Sequence, residues 1–448
     1  MNERVIRGGR VLTAAGMGNC DVHIIDGRIA DVGVGLAVAP AVEEIDATGM
    51  LVLPGVVDAH VHFNEPGRAH WEGFATGSDA LAAGGATTFV DMPLNANPPA
   101  IDRASFLRKR AAGEASSVLD FALWGGLIPS NLDRLEELAE CGAVGFKAFM
   151  IDSGVDDFPC VDGETLRRGM KIAARLRLPV AVHAEDAERI AEATREVAAT
   201  GRSDARAWLD SRPAESEIEA VRRVIDLAGE TGCSLHIVHV SCPEAVALVI
   251  QARSRGLDVT CEACPHHLLW NESVAIERGT IAKCAPPLRD EARRAGLWQA
   301  LIEGDIDCIG SDHSPAPPEM KVGGDWFAAW GGIMGCQHGF LLVLDAVLSK
   351  CPDRLPLVWE RMSSRPARRM GIDYCKGSIA TGQDADVVLV SSGPERLIES
   401  SELLYRHKIS PYTGTKIRSR VARSLLRDGG IGRTSGAGGG RFIPRKAV

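Results

Sequence analysis

The chain has no basic excess. Against 59 acidic residues it carries 50 Lys and Arg, a formal net charge of −9, so no basic stripe is available to neutralise phosphates. That excludes nucleic acid and an anionic membrane surface as partners. Nor is there an uninterrupted apolar stretch long enough to span a bilayer, and the N-terminus MNERVIRGGRV lacks the apolar core of a signal peptide. A cytoplasmic protein with no membrane association is expected. Twelve cysteines, scattered from Cys20 to Cys375, lack the spacing of a disulfide framework, which suits a reducing compartment.

What the chain does have is size and rhythm. Its 448 residues, 45% hydrophobic and 24% charged, have a globular composition and are enough for a large barrel with an appendage. Short β-branched runs alternate with helical patterns. The strand candidates are 55–62, 86–93, 119–126, 143–150, 179–185, 234–241, 258–264 and 306–312. Between them lie NLDRLEELAEC, GETLRRGMKIAARLR and ESEIEAVRRVIDLAGETG; in the first and last, apolar residues recur at intervals of three and four. Eight βα units over about 300 residues predict an α/β fold, a (β/α)8 TIM barrel.

Barrels of this kind carry their reactive groups at the C-terminal ends of the strands. There the sequence places His60 and His62 on the first strand, Lys147 on the fourth, His183 on the fifth, His239 on the sixth and Asp312 on the eighth. Side chains alternate along a strand, so Asp58, His60 and His62 share a face. One histidine pair among apolar neighbours reads as hydrogen-bonded core. Six metal-competent groups at the strand ends of one barrel read as a metal centre, since such groups are costly in apolar surroundings unless paired or metal-bound. The sixth strand offers both His236 and His239. Being three apart, they are expected on opposite faces, with His239 in the site and His236 packed against a helix. Lys147 beside cations would be neutral, and a neutral amine can take up CO2 as a carbamate able to bridge two metals.

The run CEACPHH places Cys261 and Cys264 in a C-x-x-C followed by His266 and His267, with Cys284 further on. A structural zinc site needs a second close ligand pair, so these read as small buried residues at a strand end.

The stretches PGVVDAHVHFNEPGRAHWEGF, GGATTFVDMPLNANPP, GFKAFM, VHAED, CEACPHHL, APPLRD, GSDHSPAPPEMK, AWGGIMG and YRHKISPYTG resemble the cyclic amidohydrolases, in order, from about residue 5 to 420. The resemblance implies a barrel over 56–365 and a small β-sandwich-like domain built from both chain ends, 1–55 plus 366–448. It implies His60, His62, Lys147, His183, His239 and Asp312 as ligands of two divalent metal ions, zinc first, with manganese, iron or cobalt as alternatives. Lys147 would be carboxylated by CO2, and Asp312 would be the catalytic acid–base. It points to Asn64, Asn95 and Ser314, with backbone near Cys284–Pro286 and Gly331–Gly332, as substrate contacts; His313 would stand behind the ligands or face the substrate. A homotetramer acting on a small cyclic ureide is implied.

Dihydroorotases carry Arg where this chain has Asn64, and hydantoinases carry Thr where it has Val61, so a ring without a carboxylate is expected. The rivals are a hydantoinase, dihydropyrimidinase or dihydroorotase activity, a non-catalytic barrel scaffold, and a thiol or zinc protein built on Cys261 and Cys264. His267 and His338 depart from the family pattern. The Gly-rich tail from Leu425 onward reads as a loosely ordered end.

Overall fold

The computed structural model describes residues 2–321, 323–427, 429–430 and 439–446. The barrel strands are Val56–Val61, Ala86–Asp91, Asp120–Leu123, Phe146–Phe149, Val180–His183, Leu235–Ile237, Val259–Ala263 and Cys308–Ile309. Each pairs in parallel with the next, the third and fourth through the short extension Gly125–Gly126. The ring closes where the His62 N–H donates to the His313 carbonyl at 2.8 Å. All six residues of the first and of the second strand are buried, as strands covered on both faces must be.

The helices between them follow local chemistry. Gly163–Leu176 starts where the Asp162 carboxylate accepts from the Thr165 N–H and stops at Arg177, in left-handed conformation at φ 55°. Ala214–Thr231 ends at Gly232, φ 67°. Among the described residues, no helix is long and apolar enough to cross a membrane.

Both chain ends build two sheets. One orders Arg28–Gly33, Asp21–Ile25, Glu3–Arg7 and Glu43–Asp46; the other joins Arg10–Thr13, Gly16–Asn19 and Leu51–Pro54 to the late strands Val387–Leu397 and Lys416–Leu426. Between them Ile6, Val22, Ile24 and Ile45 pack with Val52, Val387, Leu389 and Leu425.

The tail corrects one expectation. Residues 431–438 lie outside the described residues, but 439–446 dock on the barrel. The Phe121 N–H donates to the Arg441 carbonyl at 2.9 Å and the Ile443 N–H to the Phe121 carbonyl at 2.7 Å. Phe442 packs on Phe106 and Phe121, and a Cβ on Gly440 would collide with the Leu119 carbonyl. The apolar Phe442 and Ile443 within a Gly-rich context supply the anchoring that composition concealed.

Candidate metal centre and cavity

The strand ends converge. The ring centroids of His60 and His62 lie 5.4 Å apart, those of His60 and His239 5.5 Å, and those of His183 and His239 4.6 Å. Asp312 Oδ1 stands 3.2 Å from His60 Nε2 and 3.5 Å from His62 Nε2. Lys147, His183 and His239 line the same cavity as His60, His62 and Asp312. The backbone is bent to bring them there. His239 and Asp312 adopt φ 40° and 45°, as do Asn64 and Asn95 at 65° and 59°, in the left-handed region where non-glycine residues are strained by about 1–3 kcal/mol each.

That bend also corrects the reading of the sixth strand. The regular strand ends at Ile237, so alternation stops short of His239, whose left-handed backbone swings its ring inward. His236 is not against a helix. It is fully buried inside the barrel, stacked on Trp124, with Nδ1 2.8 Å from Thr260 Oγ1 and Nε2 3.7 Å from Glu262 Oε2.

Several buried donor atoms here have no partner among the described residues: Lys147 Nζ, His62 Nδ1 and His239 Nδ1. Burial pushes the His60, His183 and His239 imidazoles below their ordinary value. It also lowers the Lys147 ammonium to about 8. Burial pulls the Asp312 carboxyl upward, but His60, His62 and His239 outweigh it and hold it well below the carboxylate range. Neutral imidazoles, a carboxylate and a readily deprotonated amine, facing one another and unsatisfied, are the forms that bind a metal ion. The donor set fits a divalent metal centre.

A second layer of carboxylates, absent from the sequence reading, orients the rings. Glu262 Oε1 lies 2.8 Å from His60 Nδ1, and Glu185 Oε2 lies 2.7 Å from His183 Nε2 and 2.6 Å from Arg212 Nη1. Each carboxylate accepts one ring N–H and so leaves the other nitrogen as a lone pair toward the cavity. Burial raises the Glu262 carboxyl, but His60 and His236 outweigh it and set it at about 2. Gly310 makes room, since a Cβ there would meet the Glu262 carboxylate at 2.6 Å. Glu262→Gln is expected to weaken metal affinity about 10–100-fold with the fold intact; metal content after graded chelation checks this, and unchanged retention contradicts the orienting role.

The cavity, about 360 Å³, is of the size that takes a small ligand. Asn95, Ser314, Ala285, Gly331 and Gly332 line it. Asn64 does not: its left-handed turn aims it at the loop after the eighth strand, where Nδ2 donates to the Pro315 carbonyl at 3.2 Å. His313 is also off the cavity wall, stacked on Tyr405 and accepting at Nδ1 from the Gly335 N–H at 3.2 Å. His338 sits apart, 3.4 Å from Glu402.

Trp208, Arg212, Phe149, Lys283 and Trp330 also form the wall. Phe149 follows Lys147 by two on the strand within GFKAFM, so alternation places it on the same face, and AWGGIMG carried a signal for Trp330; no periodicity marks Trp208, Arg212 and Lys283, which lie beyond the strands.

The wall segment 327–332 is fastened by two buried ammonium groups. Lys283 Nζ donates to the Ala329 carbonyl and Lys321 Nζ to that of Gly332. Burial, helped by Lys283, lowers the Lys321 ammonium from 10.5 to about 7. The folded chain therefore releases this proton before the unfolded chain does, and its stability rises with pH from about 7 to 10.5. Over that window, wild type is expected to gain up to about 1.4 kcal/mol per pH unit relative to Lys321→Met. Denaturant unfolding at several pH values checks it, and a constant difference between the two proteins contradicts it.

A parallel barrel with imidazoles, a lysine and an aspartate at its strand ends defines a class, and comparison gives that class its name. The amidohydrolase family profile matches residues 51–416. The chain belongs to the amidohydrolase family, as a hydrolase acting on cyclic amides. Its curated relatives include the allantoinase of Solibacter usitatus (strain Ellin6076), 50% identical over 427 residues, 95% of this chain and 93% of that one. The allantoinase of Rubrobacter xylanophilus is also 50% identical, over 98% of this chain and 97% of the other. Among solved structures, the L-hydantoinase (dihydropyrimidinase) from Arthrobacter aurescens superposes with a TM-score of 0.96 at 32% identity, covering 99% of this chain and 100% of that one.

Proposed function

We propose that this chain hydrolyses the ring amide of allantoin to allantoate. The observation that carries the reading is the pairing of a complete strand-end donor set with half-identity to allantoinases over nearly the whole chain. His60, His62, Lys147, His183, His239 and Asp312 would hold two divalent ions, zinc first, with manganese, iron or cobalt as alternatives. Lys147, whose lowered ammonium value favours the reactive amine, would bridge them as its carbamate. Bound there, the ions would supply Lewis acidity and hydroxide at neutral pH.

The chain's own groups do the rest. Asp312, facing His60 and His62, takes the proton of the attacking water as oxygen bonds to the ring carbonyl carbon. It returns that proton to the ring nitrogen as the C–N bond breaks. Asn95 and Ser314 on the cavity wall offer neutral hydrogen-bonding groups to an uncharged ureide. Trp208 and Phe149 line the same cavity and give it apolar surface. Resemblance to the family extends the reading to a homotetramer, and the absence of a signal-peptide core in the sequence to a cytoplasmic one.

Incubation of the metal-replete protein with allantoin in ¹⁸O-water tests it. One labelled oxygen in the new carboxylate of allantoate is expected. Unchanged allantoin, or opening at another bond, contradicts the proposal.

A further inference from the structure

Beyond the cavity, the end of the seventh barrel strand carries a second convergence of soft donors. The strand Val259–Ala263 stops at Cys264, and the short helix Pro265–Leu269 turns the chain so that His266 and His267 come back beside it. One ligand atom from each of Cys264, His266 and His267 lies within 4.8 Å of the others. All three residues are buried, and none of them lines the cavity. They are a separate group from His60, His62 and Asp312.

The hydrogen bonding of this group is incomplete in an informative way. His266 is 1% exposed, yet neither of its ring nitrogens has a partner among the described residues. A buried imidazole left so is costly, by about 1–3 kcal/mol for each unsatisfied group. His267 is satisfied at one end only. Its Nε2 lies 3.0 Å from the Pro286 carbonyl, so Nε2 carries the hydrogen and Nδ1 the lone pair, and Nδ1 is buried without a partner. A metal-ligating histidine is oriented in this same way, donating its far N–H to a carbonyl. C-x-x-C pairing does not account for the cluster: Cys261 turns away, with its thiol 3.9 Å from the Asp305 carbonyl.

We propose that Cys264, His266 and His267 form a further metal site, for one thiophilic cation of the Cu⁺ or Zn²⁺ class, distinct from the centre at His60. The chemistry selects that class. A thiolate with two imidazoles is a soft set that suits copper and zinc and disfavours magnesium, calcium and manganese. Its single negative charge neutralises a monovalent ion in a buried place, whereas zinc takes a fourth donor as well; Cys284, also buried, lies near enough to act electrostatically on Cys264. Burial holds both imidazoles in the neutral form ligation requires, His267 at about 4. It also holds the Cys264 thiol protonated until a cation displaces the proton. Through His267 and Pro286 the site fastens the strand end to the segment carrying Ala285, part of the cavity wall. CEACPHH is buried at a strand end, as its sequence implies, and the proposal adds a ligand role to that packing.

The test is metal content and a spectrum, read on the full chain. Protein is prepared from cultures supplemented in turn with zinc, copper and cobalt, as wild type and as Cys264→Ser and His267→Phe. Wild type is expected to hold one ion per chain more than either variant. Its cobalt form should show a thiolate-to-cobalt charge-transfer band that both variants lack. Among the described residues no other group of three metal-competent side chains contains a cysteine, so the band reports this site. Retention of the extra ion from the copper culture identifies Cu⁺ as the occupant, and retention from the zinc culture alone identifies Zn²⁺. Equal metal content in all three proteins overturns the proposal. A wild-type cobalt spectrum without the band rules out the Zn²⁺ occupant, and the absence of an extra ion from the copper culture as well overturns the proposal even if the variants fail to fold.

Discussion

Replacing Asp312 by asparagine is expected to lower kcat by about 10³–10⁴-fold, the upper range for losing a positioned acid–base group, while metal content stays near that of wild type. The amide keeps the shape of the side chain and one oxygen toward His60 and His62, from which Asp312 Oδ1 is 3.2 and 3.5 Å away. What it loses is the ability to take a proton from water and return it to the ring nitrogen. The carboxyl is held well below its ordinary range, with the surrounding histidines outweighing burial, so in wild type it is ionised, as the proposed base must be. Because the change acts on proton transfer, KM should move little beside kcat. Steady-state rates with metal analysis on the same samples decide this. A variant with near-normal turnover contradicts the role given to Asp312, and one that has lost its ions shows Asp312 holding metal more than moving protons.

Lys147→Met is expected to have an effect of comparable size, because it removes the group proposed to hold both ions. The side chain is completely buried and its Nζ has no hydrogen-bond partner among the described residues, although Phe149 lies 4.8 Å away. An unpaired ammonium in such a place is disfavoured, which is why its ordinary value of 10.5 falls to about 8. Methionine fills the same volume without charge, so folding should survive and Tm of the metal-free protein should equal or exceed that of wild type. Bound metal should fall below one ion per chain at the centre, and kcat/KM by roughly 10³-fold or more, since the water-activating chemistry depends on that metal. Mass spectrometry of the intact wild type under native conditions adds an independent check, because carboxylation adds the mass of CO2 to the chain. Full metal occupancy and activity in Lys147→Met would remove Lys147 from the centre.

The barrel is legible because its signals are local. Buried parallel strands read as β-branched runs, and a charged or imidazole group at the end of such a run stands out in one dimension. His60, His62, Lys147, His183, His239 and Asp312 all stand out this way, and the structure brings them around one cavity. The carboxylates behind them do not. Glu262 is 202 residues from His60, and only closure of the barrel makes them neighbours. His236 is misplaced by a rule that holds within a regular strand and fails past its end, where His239 turns left-handed. Asn64 is named as a substrate contact by resemblance; the bond from its Nδ2 to the Pro315 carbonyl, 251 residues away, is one that spacing does not foretell. The cavity wall of Trp208, Arg212 and Lys283 comes from segments beyond the strands, whose side-chain positions follow from packing rather than from spacing.

The central claim is the substrate. The fold alone is shared with hydantoinases, as the TM-score of 0.96 with the Arthrobacter aurescens protein makes plain, so the claim must be tested on the ring. The direct measurement is kcat/KM of the metal-replete protein for allantoin, hydantoin, dihydrouracil and dihydroorotate under one set of conditions. Allantoin is expected to exceed each of the others by about 10²-fold or more, the discrimination available to a site whose polar groups pair with the substrate's own. A preference for hydantoin or dihydrouracil would contradict the account, leaving the metal centre in place and assigning it a different ring.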